Sequence, residues 1–316
     1  MADDTISYNV CIINDGDLAS NLGKRGSQSE ITMFNYKKGN RAITISYPHR
    51  YPERIQSLIN SVGISDFVVL VIDKLDRYFG EAVLTLDAMG VTEGYIILKN
   101  YIDMGSIKPY ISGTVVEKYT LFEGDVNSLR EDMFSRIIDV QDEHQPVVMV
   151  DQAFTVKGIG TVALGVVMEG VIKKHDAVKL YPSEKNIIVR SIQVHDNDVE
   201  RAIKGSRVGL ALKNVSPEEI EKGDIISAGD IPLVEQIEAE IKVNKYFRAG
   251  VSDADMIHVA MGLKIVPARV EGSIKAGESK SIAVKFERQV PYFRKMKTGV
   301  FHLDRFPRVV GKINFP

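Results

Sequence analysis

The spacing of apolar residues in this 316-residue chain changes near residue 143. Before that point, apolar runs such as FVVLVID (67–73) and YIILKN (95–100) alternate with segments of helical spacing such as DVNSLREDMFSRII (125–138). After it, strand-like runs follow one another between turns rich in Gly, Asp, Lys and Pro. Alternating strands and helices predict a mostly parallel sheet covered by helices, whereas a succession of short strands predicts closed barrels.

This change predicts three domains. An α/β domain with a mostly parallel sheet spans 1–143, one β-barrel spans 144–229 and a second β-barrel spans 230–316. The segment SAGDIP (227–232) is the predicted linker between the barrels. Within the first domain, the alternating segment 30–48 predicts a hairpin around KKGN, and GTVVEKYT (113–120) predicts a further strand.

Composition restricts the class of protein. The net charge of −2 gives no global positive field for nucleic acid, so any RNA contact must use a local basic patch. The single cysteine, Cys11, excludes a disulfide framework and favours a reducing cytoplasm. No apolar run approaches the ~18 residues that span a bilayer, so we expect a cytoplasmic protein without membrane contact. The sequence gives no basis for an oligomeric state.

The predicted first barrel carries a specific sequence pattern. DQAFTVKGIGTVALGVVMEGVIKKHDAVKLYP, followed by VRSIQVHDNDVERAIKGSRVGLALKNVSPEEIEKGDII, resembles the second domain of translational GTPases, as found in the selenocysteine-specific and Tu elongation factors. The matching positions are Phe154, Gly158, Gly160, Thr161, Gly165, Gly170, Asp176, Val194, Gly205, Val208, Gly223 and Asp224. The resemblance implies a GTPase-like first domain followed by two barrels, and a first barrel that helps to hold the aminoacyl end of tRNA.

The phosphate-binding motif of that family is altered here. A working loop has the form G-x-x-x-x-G-K-[ST], in which backbone amides cradle the phosphates and the hydroxyl binds magnesium. In NDGDLASNLGKRGS (14–27), six residues instead of four separate Gly16 from Gly23, and Arg25 follows Lys24 in place of the hydroxyl residue. These departures predict that phosphate and magnesium are not bound in the usual way.

Two further motifs of the family are also altered. The D-x-P-G-H motif corresponds to ISYPHRYP (45–52), where Ser46 replaces the acid. The N-K-x-D motif, which recognises guanine, corresponds to Asn100–Asp103, where Tyr101 replaces the lysine. The candidate nucleotide-binding residues are Gly16, Gly23, Lys24, Asn100 and Asp103. We expect no GTP hydrolysis, no catalytic residue, no metal site and no cofactor. GTP or GDP with magnesium is the alternative if the altered loop still binds nucleotide.

A basic segment near the C-terminus, KFERQVPYFRKMKTGVFHLDRFPRVVGK (285–312), interleaves cationic and aromatic residues. Such a mixture suits phosphate contacts and base stacking, although barrel strands with basic outer faces give the same pattern. The candidate RNA-binding residues are Arg288, Arg294, Lys295, Lys297, Arg305 and Arg308.

The favoured hypothesis is a translation-elongation-factor-like binding protein that engages tRNA, the ribosome or another translation component through its barrels. A GTP-binding elongation factor with an unorthodox phosphate loop and a protein-binding regulatory scaffold are the alternatives. Selenocysteine-specific factors carry a further domain after the second barrel. The sequence reaches only about the end of that barrel at Pro316, so we do not expect the full selenocysteine-delivery role.

Overall fold

A computed structural model describes residues 5–136, 144–253 and 255–316. The first domain is a seven-stranded sheet in the order β2-β3-β4-β1-β5-β6-β7, flanked by helices. Its strands are β1 (Ile6–Ile13), β2 (Lys24–Gln28), β3 (Thr32–Lys38), β4 (Arg41–Tyr47), β5 (Phe67–Ile72), β6 (Gly94–Leu98) and β7 (Thr120–Leu121). Its helices are α1 (Gly16–Leu22), α2 (Ile55–Gly63), α3 (Arg77–Ala88), α4 (Met104–Ile111) and α5 (Val126–Ser135).

The central strands are parallel and are covered on both faces. β4, β1, β5, β6 and β7 run parallel, while β2 and β3 add an antiparallel edge. Every residue of β5 is buried, as expected of a parallel strand between two helical layers. Aspartates cap four of the helices through their carboxylates: Asp15, Asp76, Asp103 and Asp125.

Two local predictions need correction. The segment 113–120 is not a strand: a 3₁₀ helix (Val115–Lys118), capped by Thr114, precedes the two-residue strand β7. The helix α4, which Asp103 caps and which contains Pro109 near its end, was not predicted from the sequence. The predicted hairpin is confirmed as β3 and β4. The domain boundary at residue 143 lies outside the described residues and stays a prediction.

The first barrel closes through six strands. β8, β9, β15, β12, β11 and β16 form the ring, and β13 extends its edge. The strands are β8 (Val147–Val156), β9 (Gly160–Glu169), β10 (Val171–Lys173), β11 (Ala177–Tyr181), β12 (Lys185–Val194), β13 (Asn197–Val199), β14 (Arg201–Ile203), β15 (Arg207–Lys213) and β16 (Ile225–Ser227). β10 and β14 pair separately, and a second 3₁₀ helix spans Pro217–Glu219.

The second barrel is also a closed ring of six strands, in the order β17-β20-β19-β18-β21-β22. Its strands are β17 (Leu233–Val243), β18 (Ile257–Met261), β19 (Lys264–Val270), β20 (Ser279–Pro291), β21 (Thr298–Phe301) and β22 (Val309–Asn314). The predicted fold class, an α/β domain followed by two β-barrels, is therefore confirmed. Among the described helices, none is long and apolar enough to cross a membrane.

The three domains pack directly against one another. Ala260, Phe301 and Val309 of the second barrel belong to the apolar core under α2 and α3. Beside them, the buried Glu81 carboxylate forms a bidentate ion pair with Arg308, whose Nε lies 2.8 Å from Oε2. A buried ion pair of this kind fixes orientation as well as distance.

Two glycines of the family pattern allow close approach between domains. Gly205 has φ +84°, and its carbonyl accepts a 3.0 Å hydrogen bond from Asn9 Nδ2 in the first domain. Gly223 has φ +79°, and a Cβ there would lie 2.4 Å from Lys264 Cγ in the second barrel. Lys264 Nζ lies 2.6 Å from Asp224 Oδ1 in the first barrel. These glycines therefore serve domain packing as well as turns.

Candidate functional site: a basic cleft between the first domain and the first barrel

The end of β1 is where a phosphate loop would begin. Only Asn14 and Asp15 separate β1 from α1, so the connection is too short to wrap around a phosphate chain. The Asp15 carboxylate accepts a 2.9 Å bond from Leu18 N and forms an ion pair with Lys99. This carboxylate already occupies the helix terminus that would attract a phosphate.

The surroundings of Gly16 also disfavour an anion. A Cβ on Gly16 would lie 3.2 Å from the ring of Tyr47, so the glycine gives room to this side chain. The pKa of Tyr47 is raised, first by burial and then by the negative charges of Asp15 and Asp17. Two carboxylates therefore lie close to Gly16 and Tyr47.

Lys24 lies far from this end of the sheet. It lies on the edge strand β2, where it pairs with Asn35 of β3. Across the sheet, this position is in register with Thr44 on β4 and Asn9 on β1, four residues before the end of β1. Gly23 ends α1. Five strand spacings of ~4.8 Å separate β2 from β6, so Lys24 is about 24 Å across the sheet from the segment that follows β6. The fold does not bring Lys24 together with Asn100.

The candidate guanine-binding residues have local bonds. Asn100 Nδ2 donates a 3.0 Å hydrogen bond to the Asp73 carbonyl, and the Asp103 carboxylate accepts from Ser106 N at 2.7 Å. Tyr101 projects fully into solvent from backbone with φ +61°. Ser46, at the place of the family's magnesium-linked acid, is buried and donates to the Ser61 carbonyl at 3.1 Å. These bonds give Asn100, Asp103 and Ser46 structural roles.

A cleft of about 700 Å³ opens between β2–β3 and the first barrel. This volume lies within the range of natural ligand sites. One wall carries Lys24, Arg25, Asn35 and Lys37; the other carries Gln193, His195, Asp196 and Arg207. Of the described residues lining it, four are Lys or Arg and one, Asp196, is acidic. The cleft is therefore positively charged although the whole chain is not.

Arg207 anchors the floor of the cleft. Its Nη2 atom donates to Ser27 Oγ at 2.9 Å and to Asp151 Oδ2 at 3.0 Å, which joins the first domain to the barrel. Its Nη1 atom is buried and lacks a protein partner in the described structure. An unsatisfied buried guanidinium nitrogen costs free energy unless a ligand or water meets it.

Two more cleft residues have unsatisfied polar atoms. His195 Nε2 and Asn35 Oδ1 are buried without a hydrogen-bond partner within the described ranges. Burial, followed by the charge of Lys37 and with a further contribution from Arg207, lowers the pKa of His195, while Asp196 opposes them. Together with Arg207 Nη1, these atoms provide donors and acceptors in a cationic site.

Glycines shape the β2 wall. A Cβ on Gly26 would lie 2.8 Å from Asn35 Nδ2, and one on Gly23 would lie 3.0 Å from the Asn35 backbone. Both glycines therefore let β2 approach Asn35 closely. Gly23 and Lys24 help to build a cavity, but it lies on the barrel side of the domain.

Comparison with known proteins supports the family expected from the sequence. The family model described as Elongation factor Tu domain 2 matches residues 160–227. An uncharacterized protein of Methanocaldococcus jannaschii is 36% identical over 266 residues, covering 83% of this chain and 86% of that protein. A selenocysteine-specific elongation factor of the same organism is 26% identical over 274 residues, covering 78% of this chain and 58% of that factor. The chain belongs to one family with that uncharacterized protein, and it resembles the selenocysteine-specific and Tu elongation factors among the translational GTPases.

Solved structures show the same fold for this family member. A bacterial selenocysteine-specific elongation factor superposes with a TM-score of 0.80 at 18% identity, over 99% of this chain and 58% of that one. The elongation factor SelB of Methanococcus maripaludis, in complex with a GTP analogue, gives 0.78 at 20% identity, over 100% and 79%. At these identities the likeness supports the architecture alone.

The candidate RNA-binding residues predicted from the sequence have different surroundings. Arg308 is held by Glu81, and Arg288 Nη1 lies 2.9 Å from Glu221 Oε2. Lys295 Nζ lies 3.5 Å from Glu169 Oε1. Lys297 is partly buried between domains; burial lowers its pKa, and Asp66 opposes this shift. Arg294 and Arg305 are exposed. Three of the six residues are therefore engaged by acidic side chains.

The sequence patterns did not indicate most of the cleft residues. Arg207, His195 and Asn35 come from segments far apart in the sequence, and no local motif joins them. Their neighbours Val194, Gly205 and Val208 belong to the family pattern and were the available signal.

Proposed function

We propose that this chain is a translation-elongation-factor-like binding protein that holds the aminoacylated end of tRNA in the basic cleft and does not hydrolyse GTP. The observation that carries the proposal is the cationic cleft lined by Lys24, Lys37 and Arg207, with the unsatisfied polar atoms of Asn35, His195 and Arg207 buried in its walls. An RNA end offers phosphates for the cations and polar groups for these atoms. The buried Cys11 is consistent with the cytoplasm as its place of action.

Family membership supports the choice of tRNA. One wall of the cleft is formed by the first barrel, the part that matches the Elongation factor Tu family model. The two-residue β1–α1 connection and the Asp15–Lys99 ion pair at the helix terminus support the proposal of binding without hydrolysis. The ribosome and other translation components are further proposed partners, engaged through the barrels.

The decisive test compares aminoacylated and deacylated tRNA by filter binding over a range of salt. The double variant Lys24→Ala/Lys37→Ala removes two exposed cleft lysines. We expect weaker binding and a salt slope of log K reduced by about 1.4, since each lost contact to a single-stranded phosphate contributes ~0.7.

Lys118→Ala/Lys173→Ala is the matched control, because it removes the same charge at exposed sites outside the cleft. Equal affinity and equal salt slope in both double variants would exclude the cleft as the tRNA site. Equal binding of aminoacylated and deacylated tRNA would exclude recognition of the aminoacyl group.

A further inference from the structure

A second groove lies on another side of the molecule, between the first domain and the second barrel. Its volume is about 320 Å³. We call it the tyrosine groove and define it by Tyr110, Tyr246, Lys242, Lys245, Lys312 and Asp87. None of these residues lines the basic cleft.

Two tyrosine rings at the groove are partly exposed to solvent. Tyr110 and Tyr246 are each 51% exposed, so much of each ring faces solvent. The Tyr110 ring packs edge-on against Phe79 with centroids 5.8 Å apart. Tyr246 N donates to Asn244 Oδ1, whose amide nitrogen bonds the Val309 carbonyl at 2.6 Å. The Tyr110 ring is thus supported by Phe79 and the Tyr246 backbone by Asn244, while both rings stay half exposed.

Two lysines of the groove lie opposite each other on neighbouring strands, so their positive charges repel when no anion is bound. Lys242 on β17 lies directly opposite Lys312 on β22, and like charges at such positions repel. Asp87 offsets Lys312, with 3.0 Å between Oδ1 and Nζ, and the same oxygen also accepts from Val115 N at 2.9 Å.

The remaining cations have no acidic partner in the groove. Lys245 Nζ lies 5.2 Å from the centroid of the Tyr246 ring, which places a cation beside an aromatic face. For Lys242 and Lys245, no ion pair occurs with any residue in the described parts of the chain. Glu240, on the same strand as Lys242, accepts hydrogen bonds from Ser279 and Asn314, and the charge of Lys242 also contributes to the lowered pKa of Glu240. Lys242 is thus only partly offset, and both lysines can meet a phosphate at the groove.

The geometry points to a binding site for a nucleotide unit, in which a base stacks on tyrosine and a phosphate meets Lys242 and Lys245. Single-stranded nucleic acids are bound in this way, through aromatic platforms beside cations, without a sequence code. The unit can be a free mononucleotide or one residue of an RNA strand, since both offer the same base and phosphate. The site is separate from the proposed tRNA cleft and does not depend on it.

The test measures binding of a fluorescently labelled hexa-adenylate RNA by anisotropy, with adenosine 5′-monophosphate and inorganic phosphate as competitors. Tyr110→Leu/Tyr246→Leu keeps apolar contact but removes the stacking faces. We expect affinity for the RNA to fall about 5- to 100-fold, the range set by loss of base stacking. Lys242→Ala/Lys245→Ala should reduce the salt slope by about 1.4.

The cleft variant Lys24→Ala/Lys37→Ala is the control and should leave binding at the tyrosine groove unchanged. A negative result for one proposed site can therefore be distinguished from a negative result for the other. Competition by the mononucleotide would identify a free nucleotide as sufficient, and binding of the strand alone would identify RNA. Unchanged affinity in both groove variants, shown to be folded by thermal melting, would overturn the proposal. Displacement by inorganic phosphate as effective as that by the mononucleotide would also overturn it, because the base would then contribute nothing.

Discussion

At the scale of single residues, partners decide the role of each cation. Arg305 and Arg308 lie three positions apart in the same basic segment, yet Arg305 is exposed whereas Arg308 is fixed on the buried Glu81. Arg308 also donates to the Pro52 carbonyl at 2.9 Å. Sequence spacing cannot distinguish the two arginines, because Glu81 is more than 200 residues away in the chain.

The ion pair gives a stability prediction. Glu81→Gln leaves the Arg308 guanidinium partly buried without its counter-charge, and breaking a buried pair in this way costs about 3–5 kcal/mol of unfolding free energy. Denaturant unfolding should show a lower midpoint. The double variant Glu81→Gln/Arg308→Met should recover part of the loss, since no charge then remains buried. A Glu81→Gln variant as stable as the parent would contradict the role assigned to the pair.

Two helical glycines give predictions of opposite sign. A Cβ on Gly63 would lie 2.6 Å from the Gly262 carbonyl oxygen of the second barrel, whereas one on Gly80 within α3 meets nothing within 4 Å. Gly80→Ala should therefore stabilise by about 0.5–1 kcal/mol through helix propensity. Gly63→Ala should instead destabilise by about 1–3 kcal/mol through overpacking between domains. Thermal melting of both variants checks this, and equal shifts would argue against a tight contact at Gly63.

At the scale of elements, the sequence predicted the strands and helix caps that depend on neighbouring residues in the chain. β5 and β6 were recognisable as continuous apolar runs, and Asp125 as a helix cap. The segment 113–120 was predicted wrongly because its β-branched residues fill a capped 3₁₀ helix whose valines are buried. The cleft was not predicted, because the turn containing His195 meets β2 and β3 only after the domains pack.

The turn between β12 and β13 gives a pH prediction. In the folded protein without ligand, the pKa of His195 is lower than the ~6.5 of an ordinary histidine. The unfolded chain therefore binds a proton more readily at this residue, and the free energy of unfolding decreases as the pH falls below ~6.5. An anion bound beside Nε2 favours the charged ring and raises this pKa. The affinity for aminoacyl-tRNA should therefore increase as pH falls from 7.5 to 5.5, by up to tenfold per unit of pKa change.

His195→Gln is the control for this effect, because glutamine keeps polar atoms at the site but does not titrate in this range. Binding measured at both pH values should show a smaller increase in the variant. The same pH dependence in both proteins would assign the effect to groups other than His195.

At the scale of the whole molecule, contacts among all three domains favour one fixed arrangement. Asn9 bonds Gly205, Glu81 bonds Arg308 and Asp224 bonds Lys264, so each pair of domains has its own polar connection. Apolar residues of the hairpin, among them Ile31 and Met33, belong to one core with residues of both barrels. Opening any one interface would expose apolar surface and leave buried polar groups unpaired.

This closed arrangement predicts that guanine nucleotides do not alter the molecule. A ligand shifts a conformational equilibrium only if it binds the two conformations of the protein with different affinities. The short β1–α1 connection offers no phosphate loop through which GTP and GDP could favour different conformations. Calorimetry, thermal melting and small-angle scattering with 1 mM GTP or GDP and magnesium should all match the nucleotide-free protein. Binding with a Kd of about 10 μM would instead stabilise the fold by ~2.7 kcal/mol at this concentration and raise the melting temperature. Such a rise would overturn the nucleotide-free interpretation, and the Asp15–Lys99 pair would be the first contact expected to give way.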